Sequence, residues 1–478
     1  MSSWLALLTC IFGTAGLLFL DRDKSLRTSK ALWLPVIWLW IVGSRPVSVW
    51  LGINPVIDEA SQLVEGSPAD RLIFEILLII GILALVLRGR RTAVLLRANW
   101  LILIYFAYCL VSVMWSDFPE IAFKRWTKSI GDLVMIFIVL TELDPPAAFR
   151  RLLSRVGFVL LPASVLFIKY FGDIGRGYDP DGIPMNTGVT MNKNTLGVIT
   201  LVIALGALWR VRMLLAAKEA PNRGRHLLAQ GTLLTVGVAL LAMAHSATSS
   251  ACFALGAGLM LTSSLPLLKR RPAGVHALVL SVFLMGGLAM FVGAQADVVH
   301  ALGRETTLTG RTEIWQAVIP VVPNSAVGAG FESFWLGPRL DRVWSRLSEY
   351  MHVNEAHNGY LEVYLNLGWV GVGLIGLILI KGYSNVVTAF RYDPPVGSLL
   401  LAYFFAAGFY SISEAGFRLL NPIWIFFLLA VVAAGGVSQG IGTLRTSGAT
   451  GPEPRLDVNN LTPAALISLN LRVNEEQP

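Results

Sequence analysis

The chain has 478 residues, of which 55% are hydrophobic and only 14% charged, with a formal net charge of +8 and a mean hydropathy of +0.64. A soluble domain carries about 25% charged residues, so this composition excludes an ordinary soluble enzyme and implies an all-α, polytopic membrane protein. The basic excess sits in short loops between apolar runs, where membrane topology accounts for it, and gives no reason to expect a nucleic-acid partner. Cys10, Cys109 and Cys252 lie far apart within apolar runs, without the spacing of a disulfide pair or a metal site.

A helix needs about 20 apolar residues to cross a bilayer, or somewhat fewer with amphipathic ends. That rule predicts spans near 4–20, 31–43, 72–87, 99–115, 130–143, 152–168, 195–209, 227–244, 251–268, 275–294, 359–380, 397–413 and 421–437, about 12–13 helices, with 31–43 and 130–143 the shortest. The first run lacks a charged leader and a small-residue cleavage site, and DRDKSLRTSK follows it directly, so it is expected to be a retained span. Loops 21–30, 88–97, 144–155, 209–226, 269–272 and 381–391 hold 21 lysines and arginines together. The opposite set, more than twice as long, holds 14. The first set is therefore expected on the cytoplasmic side, with the long segment 295–358 on the outer face. The resulting organisation is an N-terminal bundle (1–294), a large outer loop (295–358), C-terminal spans (359–437) and a tail (438–478) whose Gly, Pro, Thr and Asn content predicts disorder.

Several polar phrases gather on the predicted outer face. SDFPEIAFKRWTKS (116–129) carries Lys124, Arg125 and Lys128 beside Trp126 and runs against the local charge bias; it is either a substrate-holding element or an interfacial turn. GRGYDPDG (175–182) contributes Arg176, and GVTMNKNTLG (188–197) brings Lys193 to a helix mouth, where snorkelling is the plainer reading. Glu414 and Arg418 lie one helical turn apart, close enough to pair with each other. Glu75, inside an apolar run, is expected to point inward.

The segment 295–358 is the longest polar stretch. Its cations are Arg304, Arg311, Arg339, Arg342 and Arg346, with no lysine, and it holds His300, His352 and His357. An enzyme on the outer face has no nucleotide supply, so a synthetic reaction there needs a donor already activated, such as a polyprenyl diphosphate-linked sugar. Arginine suits the departing diphosphate because its fork binds phosphate oxygens in pairs and keeps its proton. Histidine suits the attacking hydroxyl because its ordinary pKa lies near neutrality. Acidic residues outnumber the arginines, so any anion site must be local. Arg339, Arg342 and Arg346 fall at helical spacing, as on a solvated helix face. Nucleotide-binding, zinc-protease, serine-hydrolase and paired-cysteine motifs are all missing from the sequence.

GRTEIWQAVIPVVPNSAVGAGFESFW (310–335) and HNGYLEVYLNLGWVGVGL (357–374) resemble the bacterial O-antigen polymerase and ligase superfamily. The match lies in a Gly-Arg-Thr with a following Trp (Trp315), a Gly-x-Gly-Phe, and a His-Asn-x-x-Leu entering a span, supported by NKNTLG at 192–197. GSRPVSVWL (43–51), SDFPEIAFKRWTK and GRGYDPDG are most similar to exopolysaccharide polymerases of the succinoglycan type. The resemblance implies inverting glycosyl transfer without metal or other cofactor, from an undecaprenyl diphosphate-linked oligosaccharide, on the periplasmic face of the bacterial inner membrane. It places the key loop arginine at Arg311 and the histidine at His357, which would activate or orient the acceptor hydroxyl with Glu355 or Glu362, beside Asn358. Where many members carry an arginine after a serine, this chain reads AHSATSSACF (244–253), which leaves Arg125, Arg176 or Lys193, with Lys124 and Arg304 nearby in type, to supply that charge. Simpler roles stay open: His357 as a helix-entry cap, Arg311 as a partner of Glu313 or Glu332. A polymerase would work with chain-length and export proteins; a ligase would differ only in using lipid A core as acceptor. A flippase or exporter would instead need polar residues within the spans, and the spans hold few.

Overall fold

The computed structural model describes residues 2–23, 26–53, 67–178, 182–263, 274, 281, 307–348 and 352–438. The span predicted at 275–294, the tail after Ser438 and Arg304 lie outside the described residues. Among the described residues every other predicted span falls on a helix, and the chain is an all-α multi-pass membrane protein. Among the described residues, six helices are long and apolar enough to cross a membrane, or seven if one bent pair counts as a span, with four shorter apolar helices beside them.

The helices are α1 (Ser3–Leu20), α2 (Trp33–Val42), α3 (Pro68–Leu87), α4 (Gly89–Ala98), α5 (Trp100–Val111), α6 (Pro119–Leu140), α7 (Pro145–Tyr170), α8 (Lys193–Ala216), α9 (Arg223–Ala244) and α10 (Ala247–Thr262). They continue as α11 (Thr307–Val318), α12 (Gly337–Trp344), α13 (Gly359–Tyr392), α14 (Pro394–Ser413) and α15 (Pro422–Ser438). Their starts follow local chemistry. Asp144 and Asp393 accept from the amides of Ala147 (2.9 Å) and Val396 (3.2 Å) ahead of proline pairs, and Asn192 accepts from Thr195 (2.8 Å). Each cap satisfies an amide that has no partner within its own helix, and proline costs nothing in the first turn. Between α3 and α4 the axis turns by 100°. The one sheet among the described residues is an antiparallel pair, Arg176–Tyr178 with Pro184–Asn186, which pairs Arg176 with Asn186.

Helix α14 is the centre of the bundle: 94% of its apolar window is buried, against 6% for α1, which faces outward. Buried polar ends pin its neighbours to it and to α8. The Tyr403 hydroxyl donates to the Val202 carbonyl at 2.9 Å, and the Trp209 indole donates to the Pro395 carbonyl at 2.8 Å. In an apolar setting such pairs avoid the cost of an unmade hydrogen bond.

The polar segment ahead of α13 has an apolar core of its own, built on Ile314, Val318, Phe334, Trp335, Leu340 and Val343. It is seated on α13 by backbone pairing. At Gly368 the helix breaks into a left-handed conformation (φ 61°). Around that break the Ala329 and Gly330 amides donate to the carbonyls of Leu365 (3.0 Å) and Asn366 (2.8 Å), while Trp369 and Val370 donate back to Ser325 and Ala326. Only glycine fits at Gly368, where a Cβ would lie 2.2 Å from the Ala326 carbonyl oxygen.

Two expectations are corrected here. Arg339 is not on a solvated face; it is buried, donates to the Ser333 carbonyl at 3.2 Å, and pairs with Asp117. Glu75 does not point into the bundle; it is 43% exposed and pairs with Arg71 one turn earlier at 2.7 Å, which offsets the cost of a charge on an otherwise apolar helix.

Candidate active site

Six segments converge at the end of the bundle that carries the polar segment. They are the start of α11, the turn at 328–332, the loop entering α13, the turn between α14 and α15, the start of α8 and the first turns of α6.

His357 is fixed through its neighbours. The Ala356 amide donates to the Glu362 carboxylate, and the Ala356 carbonyl accepts from the Trp315 indole at 2.8 Å. Asn358 then caps α13 by accepting from the amides of Tyr360 (3.0 Å) and Leu361 (3.1 Å). Between these clamps His357 takes a left-handed backbone (φ 47°), which turns its ring off the helix axis. A non-glycine residue there is uncommon and is held by its surroundings. Glu362 is itself buried and also accepts from the Trp335 indole at 2.9 Å, so it supports the loop.

The ring nitrogen Nδ1 of His357 lies 3.0 Å from Glu355 and 3.3 Å from Glu414. Glu414 also takes the Arg311 guanidinium at 3.1 Å and the Asn194 amide at 3.3 Å. Arg418, from the same turn as Glu414, lies 3.4 Å from Glu332 and 3.6 Å from Glu355. Arg125 donates to the Glu332 carbonyl. The result is an open ring in which cations and carboxylates alternate, Arg311–Glu414–His357–Glu355–Arg418–Glu332, drawn from segments far apart in sequence, with no pair closing Glu332 to Arg311 among the described residues.

Burial alone would lower the His357 pKa, but its hydrogen bonds to Glu355 and Glu414, with their charges, hold it up at about 10. Burial likewise opposes ionisation of Glu355, yet the bond to His357 and the charges of His357, Arg418 and Arg311 draw its pKa below the ordinary value. His357 is therefore an imidazolium at neutral pH, a donor and a charge. Glu355, His357 and Glu414 also bring ligand-capable atoms within 4.8 Å of one another, a spacing that would suit a metal ion. Arg311 and Arg418 lie on these same carboxylates, so positive charge is already supplied there by the protein.

Of the residues singled out in the sequence, Arg311, His357, Glu355, Glu414 and Arg418 meet directly, and Trp315, Asn358 and Glu362 position them. Arg311 pairs with Glu414 and not with Glu313 or Glu332, and Arg418 pairs across the site and not with Glu414. Lys193 opens α8 next to Asn194, at the edge of the ring. Lys124 pairs with Glu120, and Arg176 donates to the Ile168 carbonyl at 2.8 Å; neither has a bond to the ring among the described residues. Near Ala247, where the resemblance led to the expectation of an arginine, the chain places hydroxyls: Thr248 bonds Ser413 at 3.0 Å, next to Glu414. Asn194 and Glu332 gave no strong signal of their own; Glu332 sits in GAGFE, where Gly330 (φ 93°) and Glu332 (φ 50°) turn the chain sharply.

Residues 234–376 match the family model described as O-antigen ligase. That stretch contains Arg311, His357, Glu355 and Glu332, while Glu414 and Arg418 lie beyond it. The chain is also similar to exopolysaccharide production protein ExoQ of Rhizobium meliloti (strain 1021), 26% identical over 288 residues. That alignment covers 58% of this chain and 62% of the relative, so the chain matches less than two thirds of that protein's length. The resemblance read from the GRTEIW and HNGYL phrases is thereby supported by the family model and by this relative.

Proposed function

We propose that the protein polymerises lipid-linked polysaccharide repeat units on the periplasmic face of the inner membrane, by inverting glycosyl transfer from an undecaprenyl diphosphate-linked donor. The observation that carries this reading is the ring in which Arg311, His357 and Arg418 are held by Glu414, Glu355 and Glu332. Such a ring stores cations in place for an anionic leaving group. When the diphosphate enters, Arg311 and the His357 imidazolium exchange Glu414 for phosphate oxygens. Charge-assisted bonds of this kind are about twice as strong as neutral ones.

The acceptor hydroxyl then attacks the anomeric carbon from the face opposite the diphosphate. Its oxygen–carbon bond forms as the carbon–oxygen bond to phosphate breaks, and the electron pair leaves with the lipid diphosphate. The hydroxyl proton passes to Glu414, the carboxylate that the cations have just released. His357, already protonated, serves as a donor to the leaving group rather than as the base. Charge held ready at a developing anion contributes more than any other effect to the rate of many such reactions.

The family's description favours a ligase as the second reading, and the name of the relative favours exopolysaccharide formation. The deciding experiment uses purified protein, an undecaprenyl diphosphate-linked repeat unit, and no nucleotide. A product ladder from wild type, lost in Arg311→Ala and His357→Ala and insensitive to chelator, is the expected result. Transfer only after addition of lipid A core would make the protein a ligase. No transfer to either acceptor would return the reading to a lipid-linked oligosaccharide flippase or exporter.

A further inference from the structure

The ring occupies one end of the bundle, and at the opposite end a second set of cations is left without partners. Helix α6 joins the two ends. Arg125, near its start, reaches the ring. At its far end Arg88 donates to the Ile138 carbonyl (2.7 Å) and the Thr141 hydroxyl (2.8 Å), and pairs with buried Glu142. The charge bias of the loops leads to the expectation that this far end is cytoplasmic.

Helix α3 arrives there as a lipid-facing segment. Ile79, Leu83 and Val86 are exposed along it, and Leu87, its last residue, is 88% exposed. Its 20 residues reach about 30 Å, the thickness of the hydrocarbon core, so the bend after Leu87 falls at the edge of that core. The turn of 100° then lays α4 along the surface instead of onward through the bilayer.

Helix α4 is held from within at both ends. Arg88 fixes its start. At its end Leu95 and Ala98 are buried, and the Asn99 side-chain amide donates to the Val432 carbonyl of α15 at 3.3 Å. Its outer side is cationic. Arg90 and Arg97 stand seven residues apart, about two helical turns, so they share one side, and both are exposed. Exposed Lys381 of α13 lines one cleft with Trp100, at the joint of α4 and α5. Among the described residues none of these three cations makes an ion pair or a side-chain hydrogen bond. From Ile76 to Ser116 the sequence holds four arginines and no Asp or Glu, so the chain supplies no local counter-charge. A short helix lying in the interface, with cations outward and Trp100 (57% exposed) beside it, is the arrangement that meets anionic headgroups.

We propose that α4 docks anionic phospholipid headgroups of the leaflet at this end, with Arg90, Arg97 and Lys381 facing their phosphates. Trp100 sits where headgroups give way to acyl chains. Charge complementarity selects the occupant: the cations are unpaired, and they continue the lipid-facing surface of α3. The contact depends on no particular reaction at the ring, and lipid binding is measured without one.

The test titrates protein in detergent with phosphatidylglycerol or phosphatidylcholine and follows thermal unfolding. The lipid-to-detergent ratio that produces a given rise in Tm scales with the dissociation constant. One cation at an anionic surface is worth about fivefold in affinity, so two are worth about 25-fold. The double variant Arg90→Gln, Arg97→Gln should need about 25-fold more phosphatidylglycerol than wild type for the same rise, with its response to phosphatidylcholine unchanged. Arg90→Lys with Arg97→Lys should keep the wild-type response, because the headgroup needs only the charge. Arg342→Gln, an equal loss of charge on the polar segment, should keep it too. In wild type, 1 M salt should remove the preference for phosphatidylglycerol. The proposal is overturned by a wild type that responds alike to both lipids, or by a double Gln variant that keeps its preference. A preference that survives 1 M salt, or an equal rise in Tm with inorganic phosphate, overturns it as well.

Discussion

His357 can be titrated from the alkaline side, and its two possible roles then separate. Its folded-state pKa of about 10 stands above the ordinary 6.5 because Glu355 and Glu414 outweigh the effect of burial. A raised pKa contributes stability that is complete below pH 6.5 and is lost as pH rises toward 10. Across that window the slope from this one group is up to about 1.4 kcal/mol per pH unit. The ceiling is about 5 kcal/mol, and with the side chain 28% exposed solvent screening reduces the expected contribution to about 2–3 kcal/mol. Thermal unfolding in detergent should therefore show wild type weakening from pH 7 to 10. His357→Gln should start lower and lack that part of the slope. The same variant should lose the product ladder at every pH. A neutral imidazole acting as base would instead give a wild-type rate that climbs with a midpoint near 6.5. A climbing limb of that kind in wild type would refute the assignment of His357 as a cation.

Arg311→Lys should reduce polymerisation by about a hundredfold, since a single ammonium cannot supply the paired bonds of a guanidinium, and rates near wild type would remove Arg311 from the reaction. Asp132, fully buried on α6, accepts from the Trp38 indole (2.8 Å) and from the Leu420 amide (3.0 Å) in the turn that carries Arg418 and Glu414. Asp132→Asn should therefore lower activity through Arg418, an effect visible as non-additivity with Arg418→Ala and contradicted if the two losses simply multiply. Gly330→Ala places a Cβ 2.8–3.0 Å from Ser112 and Ser116 at φ 93° and should cost about 2–3 kcal/mol, measured as a lower Tm with donor binding reduced in parallel.

The spans were legible because hydrocarbon imposes one rule on every crossing segment, and apolar runs bounded by Asp-Pro, Asn or Ser state it locally. Arg311 and His357 were legible through the phrases around them. Their partners were not, because a salt bridge between Arg311 and Glu414 joins positions 103 apart and leaves no trace in local spacing. Glu414 and Arg418 look like an i,i+4 pair, yet Glu414 ends α14 as an extended residue, so helical spacing no longer applies at that point. Arg339 shows the opposite failure. Its helical spacing with Arg342 and Arg346 is real, but Asp117 and the Phe334 ring enclose it, and no sequence pattern announces a partner 222 positions away.

The charge balance of the ring bears on why the base is available only when needed. Arg311, His357 and Arg418 offset Glu332, Glu355 and Glu414, so these six charges balance and each carboxylate is occupied. A diphosphate ester brings about two negative charges into a half-buried space where interactions exceed their strength in water. On the proposed reading, Arg311 and His357 move toward the phosphate oxygens and Glu414 is left facing excess negative charge with fewer donors. The acceptor hydroxyl then meets a Glu414 carboxylate whose oxygens Arg311 and His357 have left, so arrival of the donor is itself what opens Glu414 to the hydroxyl proton. Until the donor arrives, Glu414 stays paired with Arg311 and His357. Glu414→Gln should accordingly bind donor as tightly as wild type, or more tightly, while forming no ladder. Loss of donor binding in that variant would mean that Glu414 shapes the cation site and takes no proton.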